Sequence, residues 1–331
     1  MSSEIKSLMT FIQTHIIWPS IALGDLAAII LLLLFSLLMI LETKFPNRNV
    51  VKASAQKSYA SNAGLFVFNS IIVSFLTAAS LLLVSQQYVG TGLLSYIDNS
   101  ACQAVIAFLC LDLLLYLWHH ACHRFECLWL FHRVHHSDAH LNVSTAFRVH
   151  ILEVLITTII KAMYLIVLGL DKTVMLLIEA IFTGFVMFHH SNIAVPGERW
   201  LGKVFITPYL HRTHHAAERQ LHDSNYGAVL SLWDRLFGTL SEMEPVAIGI
   251  KTPSPQTTLG LIRFGFGYTS NPATVSLPNI EAVANLDAMI AEAAYYKAEK
   301  RAFSPGNEMS DWLEAKREIL RSVYDNQHIS V

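Results

Sequence analysis

Three groups of histidines have spacings at which a helix could present them to a metal ion. They are His119 and His123, then His132, His135 and His136, and then His211, His214 and His215. Residues three and four apart share one face of a helix, so the members of each group can converge. Neutral imidazole is the commonest metal ligand near neutral pH. The pattern therefore predicts a histidine-ligated metal centre.

The number of histidines favours two metal ions over one. Fourteen of the sixteen histidines lie between His119 and His222, and at least nine fall within or beside a group. One tetrahedral zinc ion needs four protein ligands, or three and a water. No Asp or Glu lies inside the groups, which argues against Mg²⁺ and Ca²⁺. Iron, zinc and copper stay open on ligand type alone.

The composition is that of a multi-pass membrane protein. Of the 331 residues, 53% are hydrophobic and 15% are charged, against about 25% charged in ordinary soluble domains. The formal net charge of −2 gives no basic surface for nucleic acid, so no nucleic-acid partner is expected. The four cysteines are too scattered for a disulfide framework, and we interpret Cys122 and Cys127 as small packing residues in a reducing compartment.

The first predicted span covers residues 21–41, because about twenty apolar residues cross a hydrocarbon core roughly 30 Å thick. A basic loop follows, with Lys44, Arg48, Lys52 and Lys57, and the positive-inside bias places it in the cytoplasm. The amino terminus is therefore expected outside. We interpret the first apolar run as a true span and not as a removable signal peptide.

The remaining apolar runs bring all the histidine groups to one side of the membrane. The further predicted spans are residues 62–84, 101–118, 151–170 and 173–189. The loop after residue 84 has no Lys or Arg and is expected outside, so the third span returns to the cytoplasm with His119. The last two spans form a hairpin with both ends on that side. Inside it, Lys161 and Glu179 are expected to pair or to snorkel.

These features predict an all-α fold, a multi-pass transmembrane helical bundle with a cytoplasmic, histidine-rich helical cap. We expect an N-terminal membrane region over residues 1–100 and a histidine-bearing domain over 101–240. The rest, 241–331, is predicted to be a cytoplasmic C-terminal helical tail, because residues 280–325 contain good helix formers in an amphipathic pattern.

Other metalloprotein classes fit the pattern less well. A b-type cytochrome uses isolated histidines within spans, whereas these histidines cluster at a membrane boundary. A zinc metalloprotease requires H-E-x-x-H, which the sequence lacks. A metal transporter places its ligands near the bilayer midplane. A non-catalytic zinc-binding or metal-transporting membrane protein stays the alternative hypothesis for function.

Several motifs resemble the fatty acid hydroxylase and sterol desaturase superfamily of membrane di-iron oxygenases. The resemblance covers about Glu42 to Thr239. Its motifs are H-x-x-x-H from His119, LWLFHRVHHS from Leu128, NVSTAFRVH from Asn142, HHSN from His189, TPYLHRTHH from Thr207, DSNYG from Asp223 and WDRLFGT from Trp233. This resemblance implies nine metal ligands, which are His119, His123, His132, His135, His136, His190, His211, His214 and His215. It also makes residues 101–240 the catalytic domain.

Further polar residues are weaker site candidates. His150, in an R-x-H-x-x-E run that ends at Glu153, and His189, beside the matched His190, are candidates for additional ligands. Asp112, Asn192, Asp223 and Asn225 are predicted to hydrogen-bond to ligands, and a carboxylate within a span, such as Asp112, is costly unless it is paired. We interpret His140, His222 and His328 as solvated or locally hydrogen-bonded.

The resemblance also implies the reaction. Two iron ions, cycling between Fe²⁺ and Fe³⁺, would use O₂ as co-substrate to hydroxylate or desaturate a C–H bond of a fatty acyl, sterol or ether lipid. The sequence has no fused cytochrome, flavin or iron–sulfur motif, so a separate ferredoxin, cytochrome or reductase is expected to donate electrons. The expected location is a bacterial inner membrane, with the metal site on the cytoplasmic side.

Overall fold

Four long apolar helices are the candidate membrane spans of the described ranges. The computed structural model describes residues 23–77, 80–268 and 286–328. Within these, the helices long and apolar enough to cross a membrane are α1 (Leu23–Lys44), α4 (Ser100–Arg124), α6 (Ile151–Leu168) and α7 (Lys172–His190). Leu32 and Leu33 on α1 are 66% and 65% exposed, as expected for side chains that face lipid.

Ten further helices in the described ranges complete the fold. Their bounds are α2 Lys52–Thr77, α3 Ser80–Tyr88, α5 Glu126–His136, α8 Glu198–Leu201, α9 Pro208–His214, α10 Arg219–His222, α11 Leu232–Leu236, α12 Thr258–Gly265, α13 Leu286–Lys300 and α14 Glu308–His328. Two 3₁₀ helices span Leu93–Tyr96 and Val143–Phe147. No strand occurs in the described ranges, so the predicted all-helical fold is confirmed for them.

The four spans are arranged so that the histidines lie at one end of the bundle. Helix α4 finishes at Arg124, α7 finishes at His190, and α6 begins at Ile151. We call this the histidine end. A single extended residue, Phe125, separates α4 from α5, and α5 packs back against α4. The short connection therefore sets the histidines of α5 against those of α4.

The core at the other end is apolar. Leu111 of α4, Leu165 of α6 and Phe182 of α7 are buried in one cluster. Helix α6 ends at Gly169, whose φ of 69° is left-handed, and a side chain on the nearby Gly92 would meet the backbone of Leu168 at 2.2 Å. Glycine at both positions lets the two loops touch.

A buried polar network holds the layer at the histidine end. Arg148 is fully buried and donates to Val134 O at 3.1 Å, Asn62 Oδ1 at 3.0 Å and Ser137 Oγ at 2.9 Å. Asp138 accepts from Ser58 Oγ at 2.7 Å. The charged groups of both Arg148 and Asp138 have hydrogen-bond partners, so the network holds α2 and α5 in place and leaves no buried charge unpaired.

The structure differs from the predicted spans mainly at the second one. Residues 62–84 lie on α2 and α3, neither of which is among the four candidate spans, and residues 78–79 are outside the description. The first 22 residues and 269–285 are also outside it, so the expectations for them stay predictions. Residues 286–328 form two packed helices, as the amphipathic pattern indicated.

The ion pair inside the hairpin generates a stability prediction. Lys161 Nζ lies 2.7 Å from Glu179 Oε2. Replacing Lys161 by Met leaves Glu179 unpaired at membrane depth, so we expect a loss of about 2–3 kcal/mol in the free energy of unfolding. The double variant Lys161→Met, Glu179→Leu should recover most of it. Unfolding in detergent micelles measures both, and equal stability of the two variants would contradict the pairing.

Candidate metal centre

Nine buried or half-buried histidines form two adjoining clusters at the histidine end. The first cluster consists of His119, His123, His132, His136 and His214, and the second consists of His135, His190, His211 and His215. Within each cluster the candidate ligand atoms lie within 4.8 Å of one another. These are the nine positions that the motifs singled out. Whether they bind metal stays a prediction.

Helical geometry explains how one segment serves both clusters. Successive residues on a helix point about 100° apart. On α5, His135 therefore turns to the second cluster while its neighbour His136 turns to the first. His214 and His215, at the end of α9, divide in the same way. The doubled histidines in the sequence are thus the residues that bring the two clusters side by side.

Backbone carbonyl oxygens fix the outer nitrogen of several imidazoles. The Nδ1 partners are Tyr226 O for His119 at 2.9 Å, Arg148 O for His135 at 3.3 Å, Val186 O for His190 at 2.7 Å and Ser224 O for His214 at 2.6 Å. A carbonyl oxygen can only accept, so Nδ1 must carry the proton in each ring. The inner nitrogen, Nε2, is left with a lone pair.

Two carboxylates act on further imidazoles in the same way. His132 Nδ1 lies 2.8 Å from Glu153 Oε1, and His123 Nδ1 lies 3.2 Å from Asp223 Oδ1. A carboxylate bound to the outer nitrogen of an imidazole fixes its ring and makes its inner nitrogen a better metal ligand. Both rings therefore also present Nε2 to the cluster.

The inner nitrogens approach one another too closely for neutral rings alone. His119 Nε2 lies 3.1 Å from His132 Nε2, and His135 Nε2 lies 3.0 Å from His190 Nε2. In each pair both outer nitrogens donate, so neither inner nitrogen has a proton for the other. Lone pairs that face each other repel unless a cation lies between them.

These spacings fit metal coordination. Two nitrogens about 2.1 Å from one metal and about a right angle apart are about 3 Å from each other. Three more pairs have this spacing, which are His123 with His136 at 3.1 Å, His190 with His211 at 2.9 Å and His211 with His215 at 3.1 Å. His214 Nε2 is buried with no hydrogen-bond partner. The residues present therefore fit a metal ion in each cluster.

Burial keeps the ligands in the form that binds metal. Removal from water lowers the pKa of His132 and of His135 to about 3. Burial also lowers the pKa of His136, His211, His214 and His215 well below the usual value. These imidazoles are neutral at physiological pH, with their lone pairs free for a metal.

One loop supplies three of the acceptors for the first cluster. Asp223, Ser224 and Tyr226 receive the Nδ1 contacts of His123, His214 and His119. Between them, Asn225 has a φ of 54° and donates Nδ2 to Leu210 O at 2.8 Å. The DSNYG motif is therefore a set of outer partners for the first cluster, and Asn225 shapes the loop without touching a ligand ring.

Two predicted partners of the ligands have other roles. Asp112 accepts from Val229 N at 3.0 Å, Leu230 N at 3.2 Å and Trp233 Nε1 at 2.9 Å. The expectation that Asp112 orients an imidazole is not met, because the buried carboxylate instead stabilises the 229–233 loop. Asn192 accepts from Arg48 N at 3.0 Å and donates to Arg48 O at 2.7 Å, so it joins the loop after α1 to the end of α7.

The two further ligand candidates lie outside both clusters. His150 has both nitrogens engaged with backbone, since Nδ1 accepts from Leu152 N and Nε2 lies 3.2 Å from Ile262 O. His189 is buried, with its ring 3.9 Å from that of His211 and its Nδ1 unpartnered.

Sequence reasoning did not assign Glu153 to the site, although a carboxylate at the start of an apolar span is itself a signal.

His222, interpreted as solvated or locally hydrogen-bonded, is buried and has a local hydrogen bond, because its Nδ1 lies 3.1 Å from Ala216 O. Its ring stacks on Trp129 at 5.2 Å beside His123. Cys122 lies near His132 and Glu153 in a smaller group that could also hold a metal.

Comparison with known proteins gives a family for the histidine-bearing segment. Residues 104–239 match the family described as Fatty acid hydroxylase, which confirms the resemblance over that segment. Residues 285–321, within α13 and α14, match a family described as Protein of unknown function (DUF2934). No solved structure matches the chain.

Several curated relatives are lipid-modifying enzymes by name. An ornithine lipid hydroxylase from Rhizobium tropici is 33% identical over 139 residues, which is 42% of this chain and 42% of that protein. Alkylglycerol monooxygenases from Homo sapiens and Danio rerio are 32% and 30% identical over 44% and 45% of this chain, and the matches cover 33% of each. The chain thus spans less than half the length of these relatives.

The carboxylate behind His132 can be tested by metal affinity. The variant Glu153→Gln removes the charge that holds the imidazole, so we expect metal affinity to fall roughly 10- to 100-fold. Asp112→Asn is the matched control, because its buried carboxylate touches no imidazole, and it should lower thermal stability but leave affinity unchanged. Competition with a chromophoric chelator measures both. An equal loss in the two variants would refute the assigned role of Glu153.

The low histidine pKa values predict how acid affects the metal-free protein. The pKa of histidine in the unfolded chain is about 6.5, whereas the pKa values of His132 and His135 in the folded protein are about 3. Between these values the unfolded state binds more protons, so stability is lost as the pH falls, by about 1.4 kcal/mol per pH unit for each histidine. Melting temperatures of chelator-treated protein from about pH 7.5 to about 5.5 test this slope. A flat profile would count against burial of neutral imidazoles.

Proposed function

We propose that this protein is an O₂-dependent di-iron lipid oxygenase that hydroxylates or desaturates a C–H bond of a membrane lipid. The observation that carries the proposal is the set of inner nitrogens that face one another at about 3 Å in two buried clusters of neutral imidazoles. Two metal ions would remove the repulsion between their lone pairs. The named activities of the relatives support hydroxylation as the reaction.

Iron is the metal that we propose for both clusters. Imidazole ligands suit iron, zinc and copper, so the ligands alone do not decide. The match to the fatty acid hydroxylase family favours a redox-active metal over zinc, because oxidation of a C–H bond by O₂ needs redox chemistry that zinc lacks. The resemblance of the motifs to di-iron oxygenases favours iron over copper. When bound and reduced, two iron ions would supply the activation of O₂ and the oxidation of the C–H bond.

The chain's own residues hold, orient and shield the metals. The nine clustered histidines would be the ligands. Glu153, Asp223 and four carbonyl oxygens keep Nδ1 protonated in six of the nine rings, so the inner lone pairs of those six stay aimed at the metals. Eight of the nine clustered histidines are buried, and His119 is half-buried. Their burial excludes water, which would otherwise consume a reactive oxidant at the site.

The position of the site favours a membrane lipid as substrate. The clusters lie where α4 and α7 end and α6 begins, at one boundary of the four candidate spans. A lipid could keep its head at that boundary while its chain stays among the spans. Fatty acyl, sterol and ether lipids are the substrate classes that we propose, and the names of the relatives include two classes of lipid.

We further propose that the site faces the cytoplasm, in a bacterial inner membrane. The basic loop after α1 lies at the histidine end, where Arg48 Nη1 donates to Val246 O at 3.1 Å and the backbone of Arg48 bonds Asn192. Positive loops favour the cytoplasmic side. A separate ferredoxin, cytochrome or reductase would reach the site from that side and supply the electrons.

The alternative is a zinc-binding or metal-transporting membrane protein without catalysis. A transport site needs a path across the bilayer with ligands near its midplane. Both clusters described here lie at one end of the spans, and their outer partners hold them rigidly. This arrangement favours a resident metal centre, and the metal analysis below separates the two hypotheses.

Iron content and lipid oxidation test the proposal together. Protein purified without O₂ from iron-supplied cells should contain about two irons per chain. With a reductant, O₂ and membrane lipid extract, mass spectrometry should detect a lipid that has gained one oxygen or lost two hydrogens. In His135→Ala the second cluster loses a central ligand, so we expect about one iron and no product.

His140→Ala is the matched control, because His140 is half-buried and lies outside both clusters. It should keep both irons and the activity. Zinc in place of iron when both metals are supplied, with no O₂ consumption, would overturn the proposal. Full iron content in His135→Ala would also overturn it.

A further inference from the structure

A large apolar groove lies between α1 and α7 at the described surface of the bundle. Its volume is about 640 Å³, within the range of ligand sites. Side chains from both helices line it, among them Ala27, Leu31, Leu177, Ala180 and Phe185. Both helices are apolar enough to span a membrane, so the α1–α7 groove lies among lipid chains.

One end of the groove adjoins the second histidine cluster. Phe188 lines it, and the next residues along α7 are His189 and His190. Thr207 also lines it, one turn before His211, whose backbone N–H donates to Thr207 O at 3.0 Å. One end of a molecule bound in the groove would therefore lie beside the histidines of the second cluster.

Thr207 provides an unsatisfied polar group at that end. The side chain is fully buried, and its hydroxyl Oγ1 has no hydrogen-bond partner. Threonine at the N-cap of a helix usually accepts a hydrogen bond from the first turn, yet the side chain of Thr207, the N-cap of α9, makes no such bond. A buried hydroxyl without a partner costs about 1–3 kcal/mol, so a ligand that supplies an oxygen at this point would be favoured.

The groove is long enough for one extended alkyl chain. It extends along α7 from Leu176, near the start of that helix, to Phe188, which is about 18 Å at the helical rise. On α1 its lining begins at Leu23, the first residue of the helix. A single alkyl chain that follows the groove would thus run along most of the two helices and end at the histidine end.

We propose that the α1–α7 groove binds one alkyl chain of the lipid substrate, with an oxygen of the lipid head hydrogen-bonded to Thr207. This inference rests on the proposed function, because it names the binding site of that function's substrate. The groove would then determine which alkyl chains the protein accepts. The head end of the lipid, not the chain terminus, would lie next to the second cluster.

The test uses a long-chain fatty acid with a diazirine near its methyl end. The protein, with its metal, is placed in phosphatidylethanolamine and phosphatidylglycerol vesicles that contain increasing fractions of the probe. After illumination, mass spectrometry locates the labelled residues. Labelling of the groove residues should saturate at low probe fraction, whereas labelling of the outward face of α1, at Leu32 and Leu33, should rise linearly as for bulk lipid.

Two neighbouring alanines provide matched variants. Ala27 lines the groove, whereas Ala28 is exposed and does not. Ala27→Trp fills the groove and should reduce the saturable labelling roughly tenfold, while Ala28→Trp should leave it unchanged. Equal labelling in both variants, or groove labelling that never saturates, would overturn the proposal.

Thr207 gives a second variant that keeps the packing. Thr207→Val removes only the hydroxyl, so half-saturation should need roughly fivefold more probe, the effect of one hydrogen bond. Thr207→Ser restores the hydroxyl and should restore the binding. No change in Thr207→Val would refute the role of the head oxygen, even if Ala27→Trp failed to fold.

Failure of this inference is distinguishable from failure of the proposed function. Photolabelling reports binding without turnover, and iron content is measured on the same samples. Two irons and oxidised lipid together with linear groove labelling would refute only the groove. Saturable labelling in a protein that holds zinc and oxidises nothing would refute the di-iron function and leave a lipid site.

Discussion

The contact on which this structure depends is between inner imidazole nitrogens that both carry lone pairs. His119 meets His132, and His135 meets His190, at 3.1 and 3.0 Å. In each ring a carbonyl or carboxylate has already fixed the proton on the outer nitrogen, so the pair cannot relax by sharing a proton. Only a cation makes such a geometry favourable. The hydrogen bonds behind the rings therefore favour a cation in the two adjoining clusters, as the proposed metal centre requires.

The membrane helices make this arrangement possible. In lipid, each span must satisfy its own backbone hydrogen bonds, so α4, α6 and α7 are helices. Each of them has one terminus at the histidine end. The extended residue Phe125 turns the chain directly from α4 into α5, which brings His123 and His136 together. Loops beyond the spans provide four of the six acceptors behind the rings, and Glu153 of α6 and Val186 of α7 provide the other two. The spans therefore determine where the histidines lie, and loops and spans together determine how they point.

Much of this was predictable from the sequence, for identifiable reasons. Helical spacing and apolar run length are local, so the grouping of His132, His135 and His136 and the hairpin that returns His190 to the same end followed from them. The partner of a buried carboxylate is a tertiary property. Asp112 was expected to hold an imidazole and instead holds the 229–233 loop, while Glu153 carries the role that sequence reasoning gave to Asp112. The α1–α7 groove, formed by helices more than 100 residues apart in the chain, had no sequence signal.

We propose that each cluster holds one iron ion. Anomalous diffraction at the iron absorption edge, on crystals of protein purified without O₂, tests this directly. We expect two peaks, one among His119, His123, His132, His136 and His214 and the other among His135, His190, His211 and His215. A single peak, a peak elsewhere in the chain, or anomalous signal at the zinc edge alone would contradict it.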